Sequence, residues 1–169
     1  MLDRIVIRDY RKGDPISQIT ALLHAAYAQL AAMGLRYLAT HQDDTVTRDR
    51  LETGHAVVAE LDGKIIATVT LYAPSERADA NWFRLPGVFK FGQFGVHPDH
   101  QRHGLGLKLM QHIEDLARQR GARELACDTA EPAHHLRAWY ERMGYRFIEY
   151  ASWSITNYRS VILSKRLVD

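Results

Sequence analysis

The sequence predicts an α+β fold in which one domain, residues 1–169, builds a mixed sheet with helices packed on both faces. Three observations predict it. Strand-like and helix-like runs follow one another in the order β-α-α-β-β-β-α-β-α-β-β. An Asp62-Gly63 turn joins two of the strand-like runs as a hairpin, because both residues tolerate the positive φ of a type I′ turn. No internal repeat, low-complexity tract or Pro/Gly/Ser linker divides the chain.

Residues 4–10 form the first expected strand, with Ile5 and Ile7 alternating against Arg4, Val6 and Arg8. Asp14-Pro15 reads as an N-cap followed by proline at the first helical position. Ile16, Ile19, Leu22, Leu23, Ala26, Tyr27 and Leu30 then give one apolar stripe, which Gly34 is placed to end. A weaker helix covers 43–53, with Val46 and Leu51 as nearly all its apolar content. The hairpin occupies 55–71, and 74–86 is a polar loop holding Trp82 and Phe83. A loop of that length in a compact domain points to a site or an interface.

A central strand is expected over 88–96. Gly92 and Gly95 inside it mark a bulge or the close approach of another segment. Leu105, Leu109, Ile113 and Leu116 line the next helix, closed by Gly121. A short strand follows at 124–129, with Leu125 and Cys127 on one side and Ala126 and Asp128 on the other. Pro132 opens a helix whose core stripe is Leu136, Trp139 and Met143, leaving Tyr140 at its edge. Strands at 147–150 and 160–167, joined by a loop with Trp153 and Tyr158, complete the chain.

Between the central strand and the helix after it lie Gln101, Arg102, His103, Gly104, Leu105 and Gly106. A strand, a glycine-bearing loop and a helix N-terminus together bind phosphate: the first helical N–H groups lack partners, and the macrodipole is positive there. Gly104 and Gly106 let backbone approach a ligand closely, and Arg102 adds fixed charge. A dinucleotide fingerprint fits poorly, because Leu109 stands where the third glycine belongs. No GxxxxGK[ST] run is present.

The pattern Gln-x-x-Gly-x-Gly, with Phe94-Gly95-Val96-His97-Pro98 before it, resembles the acyl-CoA-binding signature of the GNAT superfamily of N-acyltransferases. A second likeness lies in Trp139-Tyr140-Glu141-Arg142-Met143-Gly144-Tyr145. The resemblance implies a mostly antiparallel central sheet of about seven strands. It implies acetyl-CoA as acyl-donor co-substrate, with its pyrophosphate on residues 101–106, its thioester oxygen on the N–H of Phe94 and its pantetheine arm along Val96. It also implies Tyr140 as the general acid and direct attack by a primary amine in a ternary complex. Two positions depart from the family pattern. Ala133 stands where many members carry a pantetheine-binding asparagine, and the strand 88–96 offers only Lys90 and Gln93 where many carry a catalytic carboxylate. Asp128, His97 or a water chain remain as the general base.

Composition narrows the classes further. Hydrophobic residues make up 46% and charged residues 25%, an ordinary globular balance. Net charge is +2, without a Lys/Arg block of the kind that binds nucleic acid. No apolar run approaches the roughly 20 residues that cross a bilayer. Cys127, the single cysteine, excludes an internal disulfide and points to a reducing, cytoplasmic setting. It reads as a small core residue, not a nucleophile. His97, His100 and His103 lack acidic or cysteine partners for a metal. The acceptor stays open, with Tyr27, Tyr37, Trp153 and Tyr158 as expected walls and His24 and His41 nearby; a homodimer is also left open. Two rival readings belong to other classes: an acyl-CoA-binding regulator without catalysis, and an interaction domain whose glycine loop is empty.

Overall fold

The computed structural model describes residues 2–169. Its seven strands are β1 (Val6–Asp9), β2 (His55–Leu61), β3 (Lys64–Tyr72), β4 (Val88–Val96), β5 (Glu124–Ala130), β6 (Arg146–Ser152) and β7 (Arg159–Arg166). They form one sheet in the order β1-β2-β3-β4-β5-β7-β6, antiparallel throughout except for β4 and β5. Helices α1 (Ile16–Ala26), α2 (Ala28–Ala32), α3 (Asp44–Glu52), α4 (Leu105–Gln119) and α5 (His134–Arg142) supply the layers around it.

Alternation along β2 explains why both faces are covered. Val57 and Ala59 join the core under α4 with Leu105, Leu109, Met110 and Ile113. Ala56 and Val58 turn the other way, to Ile16, Ile19, Leu22 and Leu23 of α1 and Leu51 of α3. A strand buried on both faces reads as an unbroken apolar run, as 56–59 does. Asp62 and Gly63 take φ of 50° and 81° in the hairpin turn, as the Asp-Gly pair requires.

Two irregularities in β4 position the site. Its pairing with β3 jumps from Thr70–Gly92 to Thr68–Gly95, so Gln93 and Phe94 form a bulge, with Gln93 at φ 49°. Its parallel pairing with β5 stops after Val88–Glu124, Phe89–Leu125 and Lys90–Ala126, and the two strands then diverge. Gly95 serves the close approach of α1: a Cβ there would lie 3.0 Å from Ala26 Cβ and 3.1 Å from Leu23 Cδ2.

Four local expectations change. Asp14 does not cap α1; its carboxylate is held by both Nη atoms of Arg8, at 2.8 and 2.9 Å, and by the N–H of Arg11. The single helix through Leu30 is two, broken at Tyr27, whose hydroxyl reaches across to donate to the Phe94 carbonyl (2.8 Å). α5 begins at His134 rather than Pro132. Tyr140, expected at the edge of the α5 stripe, is its buried residue at 8% exposure, while Leu136, Trp139 and Met143 are only partly covered. Asp43 does cap α3, accepting from Val46 N–H at 2.9 Å.

Leu109 lies at the centre of the α4 face with no solvent exposure. Leu109→Ala is therefore expected to lower stability by about 2–5 kcal/mol, read from urea unfolding with an unchanged denaturant slope.

Candidate active site

The glycine loop sits where β4 hands the chain to α4. Arg102 and Gly104 both take left-handed backbone, at φ 65° and 85°, and turn the chain so that α4 starts with its N-terminal amides uncapped by any side chain. Gln101 is exposed, and its Nε2 donates to the Val96 carbonyl at 2.9 Å, which ties the loop to the end of β4. Arg102, His103 and Gly104 are exposed, whereas the Leu105 side chain is buried in the core. Gly106 packs beside Trp139 and Phe94, whose nearest ring atoms lie 3.5 and 3.7 Å from a Cβ placed there, at ordinary contact distance. Uncapped amides, exposed positive charge and a missing Cβ fit the pyrophosphate end of acetyl-CoA.

The divergence of β4 from β5 opens a cleft of about 280 Å³. Phe91, Gly92, Gln93 and Phe94 line it from β4, with Cys127, Asp128 and Thr129 on the β5 side. Tyr140 closes one end, packed against Phe91 (5.8 Å between centroids), Trp139 (5.2 Å) and Tyr145 (5.9 Å). Burial pushes its phenol well above its ordinary pKa, and the neighbouring Cys127, Tyr27, Tyr37 and Asp128 push it further. The group thus holds its proton across the working pH range, as a proton donor must. Burial likewise raises the Cys127 thiol, the opposite of what activates a nucleophile.

Tyr27, Tyr37, Trp153 and Tyr158 all line the cleft, and His24 and His41 do not. His24 Nε2 lies 2.7 Å from the Gln42 carbonyl, and His41 Nδ1 lies 3.1 Å from Thr40 Oγ1. Of the side chains considered for the general base, Asp128 faces the cleft, its Oδ2 accepting from Trp153 Nε1 at 3.1 Å. His97 does not line it; its Nδ1 accepts from the Asp99 N–H beyond the strand end. Ala133 is fully buried as the residue before α5. No group of three metal-binding side chains occurs among the described residues.

Residues 19–145 match the family described as Acetyltransferase (GNAT). This chain belongs to the GNAT acetyltransferase family. It is 31% identical over 133 residues, 76% of each chain, to S-(2-succino)cysteine N-acetyltransferase of Bacillus subtilis. A second protein of that organism, S-alkylcysteine N-acetyltransferase, is 27% identical over 132 residues, 76% of this chain and 72% of its own. Among solved structures, a GNAT acetyltransferase from Elizabethkingia anophelis with acetyl-CoA bound superposes with a TM-score of 0.67 at 17% identity. It spans 97% of this chain and 99% of its own, and the likeness is one of fold. The chain is accordingly an N-acetyltransferase.

This GNAT site also contains residues that sequence reasoning passed over. Arg50 projects from α3 into the cleft, steered by Gln42, whose Oε1 accepts from Arg50 Nη1 at 2.7 Å. Gln42 Nε2 donates to Gln93 Oε1 and Thr47 Oγ1, both at 2.8 Å, so one buried amide ties Arg50 to the β4 bulge. α3 is a charged, weakly apolar helix, and nothing in its sequence sets Arg50 apart from Arg48 on a solvated face. Asp79 of the long loop stands exposed at the cleft mouth.

Acetyl-CoA at ~100 times its Kd is expected to add ~2.7 kcal/mol, a rise of several degrees in Tm for a domain of this size. Gly104→Glu with Gly106→Glu, which adds two negative charges and side-chain bulk at the amides, is expected to abolish that ligand-induced rise. Cys127→Ala is expected to keep turnover within about threefold of wild type, since the raised thiol takes no part.

Proposed function

We propose that the acceptor is the α-amino group of an S-substituted cysteine, or of an amino acid of the same build. One observation carries the reading: Arg50 and Asp128 both face the cleft that Tyr140 closes. A zwitterionic amino acid needs that pair, a cation for its carboxylate and a carboxylate beside its ammonium. Tyr27 lies within reach of both charges. Burial raises its phenol pKa; Arg50 offsets part of the rise, while Tyr37, Asp128 and Cys127 add to it. The aromatic walls suit a thioether side chain, since sulfur and ring faces attract weakly. The acceptors named for the two Bacillus subtilis relatives are of this class.

The donor is acetyl-CoA. Backbone amides of residues 102–106 and Arg102 hold its pyrophosphate, and Gln101 and His103 complete the loop around it. Phe94 and Val96 bound the strand along which the pantetheine arm lies. Asp128 takes one proton from the ammonium and releases it to solvent. The freed nitrogen lone pair attacks the thioester carbonyl, and the N–H of Phe94, set in the bulge, steadies the oxyanion. As the C–S bond breaks, Tyr140 gives its proton to the sulfur, and the second proton lost by nitrogen replaces it. No covalent acyl-enzyme forms. We place the enzyme in the reducing cytoplasm, which suits a chain whose single cysteine, Cys127, is buried and unpaired.

Thioester consumption with S-ethylcysteine and with its decarboxylated counterpart, S-ethylcysteamine, tests the reading. The wild type is expected to favour the amino acid tenfold or more in kcat/KM, and Arg50→Gln to erase that preference, about the value of one charge-assisted hydrogen bond. Equal use of both amines by the wild type would refute an α-carboxylate contact. Tyr140→Phe is expected to lower kcat by about 10²-fold or more with little change in KM. In the wild type, activity is expected to show no alkaline loss near the ordinary tyrosine pKa, because the raised phenol stays protonated there.

A further inference from the structure

We infer that the acceptor carries a second acidic group, on its side chain, and that Lys90 is the residue that selects it. The inference rests on the reading above, in which Arg50 takes the α-carboxylate and Asp128 meets the α-amine. Lys90 and Gly92 are two apart on β4, so they share one face of the strand, about 7 Å from each other. Gly92 has no side chain, and Arg50 lies over it: a Cβ built there would be 3.6 Å from Arg50 Nη2 and 3.5 Å from Tyr72 Cε2. The guanidinium and the ammonium therefore follow one another along a single wall. Tyr72 stands beside both, its hydroxyl donating to the Arg50 carbonyl at 2.8 Å and its ring centroid 5.6 Å from Lys90 Nζ.

Neither cation has an acidic partner within ion-pair distance among the described residues. Lys90 rests over the ring faces of Tyr72 and Phe83, the second at 4.9 Å. Such contacts hold an ammonium in place without neutralising it. Arg50 spends one nitrogen on a neutral amide, Gln42. Partly buried charge without a counter-ion is unfavourable until an anion arrives, and charge-assisted hydrogen bonds then offset the lost hydration. The acidic side chains of the cleft do not fill the place. Asp128 belongs to the opposite strand and is engaged by Trp153, and Asp79 is exposed at the mouth.

Space for the second anion is present. A further cavity of about 280 Å³ shares Phe83 and Lys90 with the main cleft and is also lined by Thr53, Tyr72, Ser75 and Arg77. An acceptor anchored by its α-carboxylate at Arg50 would run its side chain along β4 toward Lys90 and this cavity. A carboxylate there meets fixed positive charge, whereas a plain alkyl group leaves Lys90 without a counter-ion. The chemistry that fits is a cysteine thioether bearing a carboxylate, a mono- or dicarboxylic acid adduct of the thiol.

Steady-state acetylation of S-(2-succino)cysteine, S-carboxymethylcysteine and S-ethylcysteine by the full chain tests this. The wild type is expected to favour the two acidic acceptors over S-ethylcysteine tenfold or more in kcat/KM. Lys90→Met is expected to collapse that ratio by tenfold or more, and Lys90→Arg to restore most of it. The acetyl-CoA-induced rise in Tm certifies each variant as folded. Raising salt supplies a second measurement on the unmodified enzyme, with KM climbing for the acidic acceptors more than for S-ethylcysteine. A wild-type preference for S-ethylcysteine, or a ratio that Lys90→Met leaves unchanged, would overturn the selection by Lys90 and leave the cysteine-thioether reading standing. Failure of all three acceptors would overturn both.

Discussion

The parallel pairing of β4 with β5 lasts only three residue pairs, and the separation of the strands after Lys90–Ala126 is the constraint on which the site depends. A continuous sheet would bury its backbone groups in the ladder and leave no interior space. Here a bulge at Gln93 and Phe94 interrupts the β4 ladder, and a cleft opens between β4, β5 and the aromatic side chains. Both cores must be strong enough to hold that gap open. α4 braces one face through Leu105, Leu109, Met110 and Ile113, and α1 braces the other across Gly95. Tyr27, at the junction of α1 and α2, ties that layer to the bulge by donating to the Phe94 carbonyl.

Polar groups in the cleft are organised so that burial works for the chemistry. Desolvation raises Tyr27, Tyr37, Tyr140 and Tyr158, so all four phenols stay neutral donors in a space that also faces Arg50 and Asp128. Tyr37 pairs with Thr129 Oγ1 and accepts from the Ala130 N–H, which leaves it a structural part. The Gln42 amide fixes Arg50 relative to the same bulge that sets the position of Phe94. Arg50 and Phe94 are thus both positioned by one short stretch of β4, and precise relative placement of groups is a large part of what a transfer reaction requires.

Much of this was legible in the residues. The seven strands, the Asp62-Gly63 hairpin, the bulge at the β4 glycines and the phosphate-type loop all follow from local rules: period-two alternation, turn chemistry and the needs of a helix N-terminus. Less legible were features whose cause lies far away in sequence. Asp14 looked like a cap because a carboxylate before proline usually is one, but Arg8, across the turn, claimed it. The stripe from Ile16 to Leu30 gave no sign of its break at Tyr27, the residue whose hydroxyl bonds to the distant residue 94.

By itself, then, the sequence determined the element order, the mixed sheet, the glycine loop ahead of α4 and the tyrosine at the α5 end of the cleft. These depend on neighbours within a few residues, and short-range sterics and hydrogen bonding settle them. Only the tertiary structure decided how charge is distributed in the cleft. Arg50 on a polar helix, Lys90 in a strand and Asp128 on the next strand are separated by tens of residues, and although Asp128 stood among the general-base candidates, nothing in the letters sets the three beside one another. Their meaning comes from the divergence of β4 and β5, which brings them to the walls of one space and leaves two cations there without acidic partners among the described residues. Burial and distance fix electrostatic roles, and both are properties of the folded chain.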